Sequence, residues 1–542
     1  MNTIPSRRDI LTSSIALAAG AALPSLGHVS SAMADSTSPT AAEIVASIRD
    51  KKMTAVTAVR AALERAEQLK DLNAFIILNK DAALAAAAQV DAGQKTGALA
   101  GLPIAVKDNI NTADMPTSGG TPALQNARPT KNAPSLQKLL DAGAIVIGKT
   151  NVHELAFGIT STNLSSFAGP VKNPYDKTRI PGGSSGGTAA AIAARIVACG
   201  LGSDTGGSTR VPAALTGTVG LRPSVGNGGA QRRYDDANMV VPISHTRDTV
   251  GPMGRTVMDV ALLDSVITGT PMAKAEPLRG KRLGIPAVLW SGLDRDVETV
   301  GKAARAKLAD AGVVLVDADI AGLFEQNAKV SFPVALHEPI ADIPAYLKAS
   351  GIEGITLADI AGKITSPDVK GAFGAITGDA FGAAYQDAIT VQRPALQKIY
   401  EAYFRDNNLD GILFPTTACA SACYRCREGI GRDIDQWRQA GADVRHHHPQ
   451  HRSRQQRRHP RPVVICRDDA GRIAGRTRDR RSGGQRRKTA RARTFHRGHF
   501  GLGTAAEGVT PRRHCGSASD EAIQYLLRRT KGGLLRYARN DG

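Results

Sequence analysis

"GGSSGG" (residues 182–187) places two adjacent serines between two glycine pairs, directly ahead of "TAAAIAARIVA" (residues 188–198), a run of good helix formers. A glycine-rich loop that opens a helix has two uses. It can cradle a phosphate on its backbone N–H groups, or it can hold a hydroxyl where chemistry needs one. The phosphate loop requires G-x-x-x-x-G-K-[ST], whereas Gly187 is followed by Thr188, Ala189 and Ala190 with no lysine. The serines themselves become the candidates for chemistry.

On the N-terminal side, "LPIAVKDNI" (residues 102–110) holds a short apolar run at 104–106, preceded by Pro103 and closed by polar residues. That pattern predicts a buried strand delivering Lys107 at its end. "SLQKLLDAGAIVIGKTN" (135–151) predicts a helix with Leu136, Leu139 and Leu140 on one face, a stop at Gly143, and a strand over 144–147. Residues 41–92 are alanine-rich with helical spacing at Val56, Val59, Leu63 and Ala66. On the C-terminal side, "GLGSDTGGSTRVPAALTGTVGLRP" (200–223) reads as a glycine-rich turn region. Helices are expected over 258–267, 298–313 and most of 326–408. Strands are expected in "KRLGIP" (281–286), "GVVLVDAD" (312–319) and "LDGILFPTT" (409–417). Alternating helices and strands give an α/β fold.

A serine hydroxyl is a poor nucleophile until a base takes its proton, and lysine serves as that base in one recurring arrangement. Four histidines precede residue 421, at positions 28, 153, 245 and 337, and none has a recognisable nucleophile setting. Before residue 421 no paired His or Cys spacing suggests a metal. No cofactor and no metal are expected.

Together, "LPIAVKDN", "PGGSSGGTAAAIAA" and "GSDTGGSTRVPAALTGTVGLRP" resemble the amidase signature family over roughly residues 40–420. The resemblance implies a large mixed β-sheet core covered by helices on both faces. It also implies an amidase, a hydrolase acting on linear amide C–N bonds, with Ser208 as nucleophile, Ser184 as the bridging serine and Lys107 as base. The oxyanion would be held by the backbone N–H groups of Thr205, Gly206, Gly207 and Ser208. Asp204 and Arg210 are expected to brace this turn, and Ser185 to cap the following helix. "VVPISHTRDTVGPMGRTVMDVALLD" (240–264) is most similar to the branch of the family that contains mandelamide and indoleacetamide hydrolases. That implies a small-molecule, arylacetamide-like primary amide as substrate, split to carboxylate and ammonia through an acyl-enzyme. His245 is expected to hydrogen-bond a loop rather than line the pocket. A homodimer is compatible with this reading. A second enzyme reading, the amidotransferase subunit acting on transfer RNA, shares the motifs but conflicts with an export leader.

That leader reads "SRRDILTSSIALAAGAALPSLGHVSSAMADS" (6–36): Arg7 and Arg8 precede a modest apolar run, and Ala32-Met33-Ala34 forms a small-x-small cleavage site. The run is too short, and too rich in Ala, Gly and Ser, to span about 30 Å of hydrocarbon. Residues 1–34 are therefore expected to be a twin-arginine signal peptide, with a periplasmic product that keeps no stable membrane anchor.

The net charge of +20 would by itself suggest nucleic acid. Residues 421–542, however, hold 29 Lys+Arg against 11 Asp+Glu, so that segment carries 18 of the 20 net charges. It also holds eight of the twelve histidines. Residues 35–420 are expected to be an amidase domain that is incomplete at its C-terminal end, and no nucleic-acid partner is expected. If residues 444–500 are written in allowed GC-rich codons and read one base later, one consistent result contains "AGIPGLSL" and "GLPVGLEIDG", which resemble the family's C-terminal segment. Residues 421–500 are accordingly expected to be that region in a shifted frame, with the shift between about Cys419 and Trp437, and 501–542 to be read-through. The competing readings are an inactive product and a genuine arginine-rich, nucleic-acid-binding or disordered tail.

Overall fold

Hydrophobic runs buried on both faces define the centre of the molecule. The computed structural model describes residues 38–226 and 232–421. The expected leader and, apart from Ser421, both tail segments lie outside the described residues. Six strands form a mixed sheet: β1 (Phe75–Leu78), β2 (Pro103–Lys107), β3 (Ile145–Thr150), β4 (Cys199–Asp204), β5 (Val219–Gly220) and β6 (Thr249–Gly254). Their order is β1-β3-β2-β4-β6-β5. β2 runs parallel to both β3 and β4, while β1 pairs with β3, and β4 and β5 pair with β6, antiparallel. Three short parallel strands, β7 (Arg282–Gly284), β8 (Val314–Val316) and β9 (Gly411–Ile412), make a second sheet in the order β8-β7-β9.

All five residues of β2 are buried, as a central strand covered on both faces requires. Its alternate side chains join different cores. Ala105 packs with Ile145 and Ile147 against the helices Ala55–Gln68, Lys80–Asp91 and Gly186–Ala193. Ile104 and Val106 pack with Val146 and Leu201 against Pro134–Asp141 and Val257–Thr268. The expected α/β arrangement, a mixed sheet with helices on both faces, is what the described residues form.

A further helical layer, Pro339–Ala349, Leu357–Lys363 and Pro367–Thr377, buries Tyr346, Leu347, Ile360 and Phe373 against Leu124, Leu155 and Val241. Tyr346 donates from its hydroxyl to Asn111 Oδ1 at 2.8 Å, which anchors this layer to the segment following β2. Among the described residues, no helix is long and apolar enough to cross a membrane.

Several boundaries differ from the sequence reading. The helix expected over 188–198 spans Gly186–Ala193, and Arg195 just beyond it adopts φ +62°. β3 continues past residue 147 to Thr150. The glycine-rich stretch read as turns contains β4 and the helix Arg210–Thr216. Its glycines serve close sheet packing: a Cβ on Gly202 would come within 2.8 Å of both Met253 Sδ and Ser185 Oγ.

Candidate active site

β2 ends on Lys107, which is completely buried. Its Nζ lies 2.7 Å from Ser184 Oγ and 2.8 Å from Ser203 Oγ. Ser184 belongs to the glycine-flanked loop, and its carbonyl accepts from His153 N at 3.2 Å. The next residue, Ser185, donates its N–H to the Ser208 carbonyl at 3.1 Å. The serine loop and the Ser208 turn are thus joined through backbone. Ser208 itself is 5% exposed, and among the described residues its hydroxyl has no hydrogen-bond partner. Of the three expected residues, Lys107 and Ser184 are in direct contact, and Ser208 is held against the serine loop by that backbone bond.

Ser185 departs from expectation. It occupies the N-cap position of Gly186–Ala193, yet its side chain caps nothing. Its Oγ instead donates to the Ser203 carbonyl at 3.2 Å and receives the Ser203 N–H at 3.3 Å, clipping the loop onto β4. The small glycine at 202 leaves room for this clip.

Asp204 organises the turn that follows β4. Its carboxylate receives the Gly207 N–H at 2.9 Å, the Thr209 N–H at 3.1 Å, Arg210 Nη2 and Nε at 2.8 and 3.0 Å, and Arg222 Nη1 at 2.9 Å. Burial alone would raise this carboxyl, but the Arg210 and Arg222 guanidiniums hold it well below the usual carboxylate range. Asp204 and Arg210 brace the turn, as expected. One expectation changes in consequence: the Gly207 N–H is committed to Asp204. Among the described residues, the N–H groups of Thr205, Gly206 and Ser208 have no acceptor, so the candidate oxyanion donors reduce from four to three.

Thr205 is tied down by its hydroxyl, which donates to Asp248 Oδ1 at 2.5 Å. Asp248 Oδ2 receives the N–H groups of Ile243 and Ser244 at 2.7 and 3.0 Å. Burial dominates at Lys107: desolvation lowers its ammonium from 10.5 to about 7, against the opposing pull of Asp204 and Asp248. The amine is then substantially neutral near pH 7 and able to accept a proton.

His245 lies on the loop reading rather than the pocket reading. Its Nδ1 is 2.9 Å from Asp342 Oδ1, and its N–H donates to Asp342 Oδ2 at 2.7 Å, tying the loop before β6 to Pro339–Ala349. The ligand atoms of His245, Glu338 and Asp342 lie within 4.8 Å of one another, a set that by donor type could hold a metal ion. The Glu338 oxygens are already occupied, accepting from Ser244 Oγ, Thr246 N, Thr246 Oγ1 and Tyr385 OH.

Sequence reading did not single out Ser203, Asn109, Arg222 or Asp248. Ser203 lies in a stretch read as turns; the pairing of β4 with β2 brings it beside Lys107, and the pairing of β4 with β6 brings Asp248 within electrostatic reach of the same amine. Ser203 and Val250, two residues beyond Asp248, face each other across that pair.

The amidase family profile matches residues 57–428. The chain belongs to the amidase family. It is 40% identical to the mandelamide hydrolase of Pseudomonas putida over 397 residues, covering 70% of this chain and 76% of that protein. It is also 40% identical to an indoleacetamide hydrolase of Rhizobium radiobacter over 374 residues, or 68% of this chain and 78% of that protein. Among solved structures, the native peptide amidase of Stenotrophomonas maltophilia superposes with a TM-score of 0.62 at 30% identity, covering 72% of this chain and 86% of that one. This amidase is a hydrolase of amide C–N bonds, and a serine acyl-enzyme is the general mechanism of its family.

Proposed function

We propose that this amidase splits a primary carboxamide with an arylacetamide-like acyl group into carboxylate and ammonia. Neutral Lys107 draws the proton of Ser184 onto its lone pair while Ser184 takes the proton of Ser208, whose oxygen attacks the amide carbonyl. The tetrahedral oxyanion is received by the backbone N–H groups of Thr205, Gly206 and Ser208. One such donor is worth about 3 kcal/mol in the transition state. The proton returns through Ser184 to the departing nitrogen, the C–N bond breaks, and ammonia leaves. Water, deprotonated by the same relay, then cleaves the ester to Ser208 and restores the enzyme.

The observation that carries this reading is the 2.7 Å contact between a fully buried Lys107 and Ser184, beside a turn that leaves the Ser208 hydroxyl unengaged. The amide class is supported by the two relatives named for mandelamide and indoleacetamide hydrolysis. The purified full-length chain should release ammonia from phenylacetamide at pH 7 to 8, and more slowly from the corresponding N-methyl amide. Failure to release ammonia from any aryl-substituted primary amide would contradict the proposal.

The reading extends to location and origin, residues 421–500 being proposed to be the family's C-terminal region in a shifted frame. Residues 1–34 are proposed to direct export by the twin-arginine route, and replacing Arg7 and Arg8 by Lys should retain the precursor in the cytoplasm. Unchanged export of that variant would contradict the route.

A further inference from the structure

Lys107 has a second partner that the three-residue relay leaves unused. Its Nζ is 2.8 Å from Ser203 Oγ, nearly as close as Ser184. Ser203 in turn lies side-on to the Asn109 carboxamide, 3.0 Å from Nδ2 and 3.3 Å from Oδ1. Asn109 and Ser203 are buried, at 2% and 5% exposure. Asn109 is fixed by its own backbone, since its carbonyl accepts the Val241 N–H at 2.8 Å. Exchanging the amide oxygen and nitrogen would still leave an acceptor within 3.3 Å of the Ser203 hydroxyl.

The arrangement bears on proton direction. A neutral lysine amine has two N–H donors and one lone pair, and only the lone pair can take the Ser184 proton. A hydroxyl has one proton to donate and lone pairs to accept with. If Ser203 gave its proton to Lys107, it would block the base. With a carboxamide oxygen beside it, Ser203 has another acceptor for that proton.

We propose that Asn109 and Ser203 are positioning residues for the general base: Asn109 takes the Ser203 hydroxyl hydrogen bond, Ser203 accepts an N–H from Lys107, and the Lys107 lone pair is left facing Ser184. This rests on Lys107 being the base, as proposed above. Neither positioning residue gains or loses a proton during the reaction; the proton that moves passes from Ser184 to Nζ. The charged groups acting on Lys107 are Asp204 at the end of β4 and Asp248 before β6. The neighbouring Asp108 is paired with Lys149 at 3.3 Å, and the helix Gly186–Ala193 brings no titratable side chain.

The test compares the pH profiles of the full-length chain and its variants, using kcat and KM for phenylacetamide together with the rate at which a fluorophosphonate labels the active serine. Labelling reads nucleophile activation without turnover. Ser203→Ala should lower kcat about tenfold or more while KM stays within about twofold, because orientation of the base is lost and not substrate binding. Its acidic limb should move to lower pH, since an oxygen that solvates the ammonium is gone. Ser203→Thr should restore both. Asn109→Asp should move the limb the other way, upward by about one pH unit, because a new carboxylate favours the ammonium.

A Ser203→Ala profile that overlays the parent would overturn the proposal. So would a loss of kcat with an unmoved limb, the mark of a packing defect, or a threonine variant no better than alanine. If Ser203→Ala does not fold, the direction of the Asn109→Asp shift decides alone. Lys107→Met separates the two levels. Persistence of the parental limb in that variant would remove Lys107 as the base, whatever the Ser203 variants do.

Discussion

At Lys107 function and stability pull in opposite directions. Its ammonium is lowered by burial from 10.5 to about 7, so between those values the folded chain binds fewer protons than the unfolded chain, and stability rises with pH across that window. Below about pH 7 the protonated lysine is carried at full cost, roughly 5 kcal/mol for a drop from 10.5 to about 7. Lys107→Met should therefore be inactive yet at least as stable as the parent at pH 7, with a flatter dependence of Tm on pH between 7 and 10. Thermal unfolding across that range checks this, and a variant that is markedly less stable at pH 7 would contradict it. Ser208→Ala should keep the parental Tm, because its hydroxyl has no partner among the described residues, while turnover falls by about four orders of magnitude or more.

The elements show where sequence reading succeeds and where it stops. β2 and its terminal lysine were legible because an apolar run flanked by a proline and polar residues has few alternatives. The two motif serines were legible from their glycine setting and from family resemblance. β4 was not, because "CGLGSD" lacks the β-branched residues that mark strands. Its glycines answer to close packing that only the folded sheet reveals: a Cβ on Gly200 would collide with the Ala105 carbonyl. Gly202→Ala should accordingly displace the Ser185 clip and Ser184 with it, reducing kcat at least as strongly as it lowers Tm. Normal turnover in a folded Gly202→Ala chain would contradict that role for the glycine.

The loop before β6 is tied down by a titrating side chain. The hydrogen bond to Asp342 raises His245 above its usual value, with burial opposing and Glu338 assisting. The contribution of a raised histidine is fully present below about pH 6.5 and is lost as pH rises through its folded value. Amide exchange in residues 243–248 should quicken, relative to distant strands, as pH rises through that range. His245→Ala should abolish this dependence; an unchanged dependence in the variant would assign it to another group.

For the whole molecule, the proposed reading frame makes the strongest demand. Among the described residues β9 has a neighbour only on the β7 side, and its Ile412, with Leu413 and Phe414 beyond it, is only half-buried. Edge strands of this kind pair readily with further chain. We propose that the segment encoded one base away from residues 444–500 supplies that covering. A gene with the frame restored after Cys419 should yield a chain with higher Tm and higher turnover than the present one, and resequencing the codons for residues 409–451 should reveal a missing or extra base. An intact frame, with a soluble tail that binds nucleic acid, would contradict the proposal.

Identification of the acylated residue tests the central claim most directly. The full-length chain would be mixed with an activated arylacetyl ester or amide, quenched in acid during turnover, and mapped by peptide mass spectrometry. The expected result is the arylacetyl mass on the peptide containing Ser208, absent from Ser208→Ala and no longer accumulating at pH 7 in Lys107→Met. An adduct on another residue, or undiminished turnover by Ser208→Ala with no adduct, would contradict it.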